Sequence, residues 1–142
     1  MKVCDLMTEQ VISVGVSEPV TAAARLMKAH NVGALPVCDG QGRLRGIVTD
    51  RDLVTRCVAR GASPIHVTVG DVMSRGVLTA EPFEEVSSAA GKLRSERVRR
   101  LPVVREGRLV GFLSLCDLAR DLSCDVEAAS ALSEISRNVL NK

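Results

Sequence analysis

Aromatic side chains are almost missing from this chain of 142 residues: Phe83 and Phe112 are the only two, with no Tyr and no Trp. A nucleic-acid surface that stacks bases needs rings, so that mode is excluded and binding must use aliphatic side chains and backbone. Charge of one sign is missing as well. Nineteen Lys and Arg face 17 Asp and Glu, a net charge of +2, too little to hold the chain on a phosphate backbone or an anionic membrane. Nucleic acid is therefore not an expected partner. It would become one only if folding gathered Arg94, Arg97, Arg99, Arg100, Arg105 and Arg108 into one basic stripe.

No run approaches the roughly 18 apolar residues that cross a bilayer, and residues 1–10 carry Asp5 and Glu9 with no apolar stretch of a signal peptide. No membrane association is expected. The five cysteines, Cys4, Cys38, Cys57, Cys116 and Cys124, are odd in number and include no Cys-x-x-Cys pair. That argues against a secreted disulfide framework and for the reducing cytoplasm. Zinc would need four converging ligands, and neither the cysteines nor His30 and His66 show the tight spacing that nominates them. A Ser-His-Asp order, a phosphate-binding P-loop and an H-E-x-x-H motif are all absent, so no catalytic residue, no metal ligand and no required cofactor are expected.

What is there is a folded composition, 46% apolar and 25% charged, at a length that suits one compact unit or two small halves sharing a core. A clear internal duplication favours two halves. Val3-Cys4-Asp5-Leu6-Met7-Thr8 recurs as Val69-Gly70-Asp71-Val72-Met73-Ser74, 66 positions on. The same offset carries Val11-Ile12-Ser13 onto Val77-Leu78-Thr79, and the set Val20, Ala23, Ala24, Met27 onto Val86, Ala89, Ala90, Leu93. It also carries Leu35-Pro36-Val37 onto Leu101-Pro102-Val103. From there the offset is 65, placing Gly46-Ile47-Val48-Thr49 on Gly111-Phe112-Leu113-Ser114. One residue has been lost in the glycine-containing turn between, where length changes cost least.

Within a copy the hydrophobic period alternates. Residues 11–14 read as a short strand, and residues 20–27 as an amphipathic helix entered through Ser17-Glu18-Pro19. Residues 35–38 and 44–49 read as a hairpin around Asp39-Gly40-Gln41-Gly42. A second helix from about Asp50 is expected to bury Leu53, Val54, Cys57 and Val58 before Gly61 ends it. This β-α-β-β-α order then repeats. A unit of about 60 residues with three strands and two helices is too small to be comfortable alone. The expected fold is α/β, with two repeats packed by pseudo-twofold symmetry into a disc with two clefts. The boundaries are 1–61 for the first repeat, 62–68 for a linker, 69–123 for the second repeat and 124–142 for a C-terminal helix. On that last helix Ala128, Leu132, Ile135 and Val139 share a face that could cap the disc or meet a partner.

Each hairpin runs into a helix through the same pattern, Gly46-Ile47-Val48-Thr49-Asp50-Arg51-Asp52 and Gly111-Phe112-Leu113-Ser114-Leu115-Cys116-Asp117. Two readings fit. A Ser or Thr followed three residues later by Asp is a capping box that closes the free helix amides. The same geometry can also offer helix amides and a hydroxyl to a phosphate, and an Asp to both hydroxyls of a ribose.

The duplicated D-[LV]-M-[ST], the L-P-V strand and the G-h-h-[ST]-x-x-D turn resemble tandem CBS domains, the modules named after cystathionine β-synthase and often called a Bateman pair. The resemblance spans residues 3–122. It implies a stand-alone regulatory module, not an enzyme, sensing adenosyl compounds such as AMP, ADP, ATP, S-adenosylmethionine or NAD, and pairing as a homodimer. By that resemblance Asp52 and Asp117 take ribose hydroxyls, Thr49 and Ser114 lie near ribose or phosphate, and Arg51 is a further ligand-binding residue. The base lies between Ile12 and Ser13, or Leu78 and Thr79, and the start of the next strand: Ala34, Leu35, Pro36, or Arg100, Leu101, Pro102. Arg99 and Arg100 replace Gly33 and Ala34 of the first copy, so the two clefts should differ, with stronger anion retention beside the arginines. With no effector domain attached, the signal would pass to another, unidentified protein. Two other readings stay open: a structural dimerisation module with empty clefts, and a redox or metal sensor using Cys4, Cys38 or Cys116.

Overall fold

The structure is a computed structural model that describes residues 1–121 and 125–140, with backbone only at 125, 126 and 138–140. Cys124 and the side chain of Val139 lie outside the described residues. In chain order the elements are α1 (Val3–Leu6), β1 (Val14–Gly15), α2 (Val20–His30), β2 (Ala34–Cys38), β3 (Leu44–Thr49), α3 (Asp50–Arg56), α4 (Val69–Val72), α5 (Val86–Glu96), β4 (Arg100–Arg105), β5 (Arg108–Ser114), α6 (Leu115–Arg120) and α7 (Asp125–Leu140). The fold is mixed α/β with a C-terminal helix.

Two compact units form, and neither is one repeat alone. The first holds residues 12–77 with 107–109; the second holds 1–11, 78–106 and 110 onward. Each repeat therefore contributes its opening turn to the unit built around the other. In the first unit the sheet order is β1-β2-β3. Strand β1 runs parallel to β2, with Val14 opposite Val37, and β2 runs antiparallel to β3, with Ala34 opposite Thr49. Val14, Val20, Leu35, Val37, Val48, Val69 and Val72 close its core with Ala23, Met27, Leu53 and Cys57. In the second unit β4 pairs with β5, and Ala80 bridges to Val103 in parallel.

The opening strand is shorter than residues 11–14 and 77–79 suggest. In both copies a glutamate turns the chain at once toward the next helix: Glu18 Oε2 accepts from the Gly15 amide at 2.6 Å, and Glu84 Oε1 from the Glu81 amide at 3.2 Å. The helices that follow end alike, with Asn31 and Arg97 in the left-handed region at φ 53° and 54°. Asn and Gly close helices this way at little steric cost; an arginine there is strained.

The two duplicated motifs explain each other. Ile47 and Ser74 exchange backbone hydrogen bonds at 3.0 and 2.8 Å, and Thr8 and Phe112 do so at 2.9 Å in both directions. The short helix ending in Met-Ser or Met-Thr thus docks edge-on against the strand carrying Gly46 or Gly111. A Cβ on Gly46 would collide with the Ser74 carbonyl, whereas one on Gly111 would meet chiefly the Met7 side chain. Glycine is required for this close approach.

The C-terminal helix makes the units unequal. It packs on α5 and α6, and Ala128, Ala131 and Ile135 enter the second unit's core beside Ala90 and Leu118. Leu132, expected on that face, is 48% exposed; the buried stripe follows 128, 131 and 135 instead. Among the described residues no matching helix covers α2, and Ala24 is exposed where its counterpart Ala90 is buried. Val54 and Val58 depart from expectation as well, at 57% and 63% exposed. Leu53 and Cys57, one turn apart, enter the first core; Val54 lies on the solvent side of α3, and Val58 falls beyond its end at Arg56, in a short 3-10 turn, Val58–Arg60.

The β4–β5 turn holds Glu106 at φ 54° and Gly107 at φ 79°, a pair of left-handed residues of the kind hairpins favour and Asn-Gly supplies best. Glu106→Asn should raise stability by about 0.5–1 kcal/mol, read as a higher urea midpoint at unchanged slope.

Candidate functional site

Both strand-to-helix junctions are capping boxes. Thr49 Oγ1 accepts from the Asp52 amide at 3.1 Å, and Asp52 Oδ2 accepts from the Thr49 amide at 2.9 Å. Ser114 Oγ and Asp117 Oδ2 repeat this at 3.1 and 2.8 Å. Asp52 and Asp117 are 9% and 6% exposed, the buried charged residues of the described chain. Burying a carboxylate is costly unless it is paired and hydrogen-bonded, and here both needs are met. The remaining oxygen of each is turned to an arginine of the same helix: Asp52 Oδ1 lies 3.8 Å from Arg56 Nε, and Asp117 Oδ1 pairs with Arg120. Capping thus accounts for one oxygen per carboxylate. At Asp52 the arginine stands beyond hydrogen-bond distance, so Oδ1 keeps acceptor capacity.

The helix starts differ in their amides. In α3 the first three are all used: Asp50 N–H donates to the Gly33 carbonyl, Arg51 N–H to the Asp50 carboxylate and Asp52 N–H to Thr49. The expected open cradle for a phosphate is not present there. In α6 the Leu115 amide donates to the Arg99 carbonyl at 2.8 Å and that of Asp117 to Ser114, leaving Cys116 without a partner among the described residues. A Cβ on Gly33 would stand 3.1 Å from Asp50 Oδ2, so that end of the first site carries negative charge. The matching position in the second copy is the buried Leu115, and Arg99 and Arg100 stand beside it with no ion-pair partner among the described residues.

The other nominated residues divide. Leu35 and Leu101 are fully buried core, and Pro36 and Pro102 are buried too, so they can meet a ligand only through backbone. Ala34 sits opposite Thr49 across β2 and β3, which brings those two together with Asp52. Ile12 is half-buried and packs on the first core. Ser13 hydrogen-bonds to the Cys38 thiol. Leu78 and Arg51 are exposed. The Thr79 carbonyl accepts from Lys92 Nζ at 2.8 Å, and the same ammonium reaches Glu84 Oε1 at 2.9 Å. Burial acts to raise the Glu84 pKa, but hydrogen bonds from Lys92, Ser88 and the Glu81 amide hold it below the usual value.

Reasoning from the sequence missed Lys92, Asp50, Arg56 and Arg120. The last two had a signal, since i+4 and i+3 from a first-turn Asp is the spacing of helical ion pairs. Asp117 also borders an open depression of about 370 Å³ with Asp5, Thr8, Arg120 and Asp121. It shares only Asp117 with the nominated set.

Burial pushes the Cys38 thiol above its ordinary pKa, the Ser13 hydrogen bond opposing and the charge of Asp39 adding to the rise. Cys57 is buried as well, and Cys116 is exposed. Thiol alkylation near neutral pH should therefore label Cys116 fast, and Cys38 and Cys57 only on unfolding. Equal rates for Cys38 and Cys116 would contradict this. Among the described residues no three His, Cys, Asp or Glu side chains gather to hold a metal ion, and no helix is long and apolar enough to cross a membrane.

The model of the CBS domain matches twice, over residues 3–59 and 69–123. The chain belongs to the CBS-domain family. A CBS pair is a regulatory module, and CBS-domain proteins are in general not catalytic. This pair is 40% identical to the CBS domain-containing protein YhcV of Bacillus subtilis over 132 residues, 93% of each chain. It is 37% identical to Hypoxic response protein 1 of Mycobacterium tuberculosis over 118 residues, 83% of this chain and 82% of that one. The crystal structure of Hypoxic Response Protein I with two coordinated zinc ions superposes with a TM-score of 0.80 at 36% identity, covering 86% of this chain and 99% of that one. The CBS domain pair of protein MJ0100, in complex with 5'-methylthioadenosine and S-adenosyl-L-methionine, gives 0.73 at 29% identity, covering 84% and 94%.

Proposed function

We propose that this CBS pair senses adenosyl compounds, one site built around Asp52 and the other around Asp117, and passes the bound state to a partner protein. The observation that carries this reading is the repeated buried carboxylate, which gives one oxygen to its cap and turns the other away from it, beyond hydrogen-bond distance of Arg56 at Asp52 and paired with the exposed Arg120 at Asp117. Ribose hydroxyls are natural donors to that second oxygen. The MJ0100 pair, with its two adenosyl ligands, supports the ligand class.

The two sites are proposed to differ. Asp50 beside Gly33 suits an uncharged nucleoside or the sulfonium of S-adenosylmethionine at the first site. Arg99 and Arg100 suit a nucleotide phosphate at the second. Two copies of the chain are proposed to pair, with the exposed Val54 and Val58 as an apolar face, in the cytoplasm, where the free cysteines stay reduced.

Thermal melting with AMP, ADP, ATP, S-adenosylmethionine and NADH tests the reading. The expected result is a rise with at least one adenosyl compound and none with adenine-free controls. A second reading, a dimerisation module whose Asp residues only cap helices, is favoured by the complete capping boxes. It predicts no rise with any of them.

A further inference from the structure

A depression of about 470 Å³ opens along the seam of α5 and α7. Three guanidinium groups line it, from Arg94, Arg97 and Arg137, with the hydroxyls of Ser95, Ser130 and Ser133 and one carboxylate, Glu134. Glu134 lies 3.3 Å from Arg137 and 3.9 Å from Arg97. Arg94 has no carboxylate: its one hydrogen bond among the described residues is to Ser130 Oγ at 3.3 Å. Ser130 accepts there, so its own proton is left to donate. Arg94 and Ser130 also border a second depression of about 170 Å³ on the same seam, lined by Ser87, Ala90, Gly91 and one carboxylate, Glu127. A Cβ on Gly91 would meet nothing within 4 Å, so that surface is open.

We propose that this seam is an anion site for a phosphoryl group, separate from the Asp52 and Asp117 sites and independent of the reading given for them. In the larger depression three guanidinium groups face one carboxylate, and with Glu127 of the smaller one the described lining of the seam keeps one excess positive charge. Planar guanidinium forks match phosphate oxygens, and a tetrahedral anion can face donors on both helices at once. Such a ligand would join α5 to α7 and so report on the seating of the C-terminal helix.

The probes are inorganic pyrophosphate and, separately, ATP, titrated calorimetrically into the full chain at low ionic strength, where surface electrostatics are least screened. Pyrophosphate is expected to bind the wild type, and Arg94→Gln to weaken it at least tenfold. Arg99→Gln, Arg100→Gln and Asp117→Asn should leave its affinity within twofold. An ATP-binding event that Arg94→Gln removes and Asp117→Asn leaves in place would also support the site and name a nucleotide as the phosphoryl source. Because Ala128, Ala131 and Ile135 anchor α7 in the core, Arg94→Gln should melt like the wild type in anion-free buffer. Ser130→Ala supplies a second variant, expected to weaken binding several-fold. Failure of both anions to bind, or undiminished affinity in Arg94→Gln, overturns the proposal.

Discussion

Gly46→Ala should destabilise the fold by about 3 kcal/mol, near the upper end for overpacking a tight site. The added methyl would strike the Ser74 carbonyl, which is fixed by reciprocal hydrogen bonds between Ile47 and Ser74. Relief requires β3 and the end of α4 to separate, breaking that bridge. Gly111→Ala, at the matched position, should cost less, about 1–2 kcal/mol. Its main obstacle is the Met7 side chain, which is unbranched and can change rotamer. Urea unfolding of the two variants measures the difference. Equal losses would mean that the two edge-on dockings are not the contacts described.

Asp52→Ala and Asp117→Ala should act twice. Each removes the acceptor for a cap amide, Thr49 or Ser114, and should cost about 1–2 kcal/mol with no ligand present. The arginine partners add little: Arg120 stays largely in solvent, and Arg56, 3.8 Å from Asp52, gives its hydrogen bonds to the Val72 and Met73 carbonyls instead. Ligand at about 100 times its dissociation constant adds about 2.7 kcal/mol to the wild type, and the variants should lose that gain at the altered site. Comparing melting with and without ligand separates the two effects. A pure cap predicts the first loss and no ligand-dependent one.

The duplication made much of this fold legible. Val20, Ala23 and Met27 face one core, and Val86, Ala89, Ala90 and Leu93 the other, as their spacing requires. Thr49–Asp52 and Ser114–Asp117 announced helix starts, because a capping box is local chemistry that needs no tertiary knowledge. Exposure at Ala24, Val54 and Val58 was not legible. Period alone says which residues share a face but not whether anything covers it, and α7 packs on α5 and α6 of the second unit. The short opening strands were hidden for a similar reason, since the turning contacts of Glu18 and Glu84 lie outside the apolar pattern. In the candidate sites, the difference between Gly33-Ala34 and Arg99-Arg100 could be read directly. Lys92 on the Thr79 carbonyl could not, being a contact across 13 residues between a helix and a loop.

Calorimetric titration of the panel's tightest adenosyl ligand into wild type, Asp52→Asn and Asp117→Asn tests the sensor reading most directly. Asn can still accept from the cap amide, so both variants should stay folded. The account predicts saturable binding to the wild type and loss of at least tenfold in affinity at one site or both when the carboxylate is neutralised. Affinity unchanged in both variants, or no heat from any adenosyl compound, would contradict it.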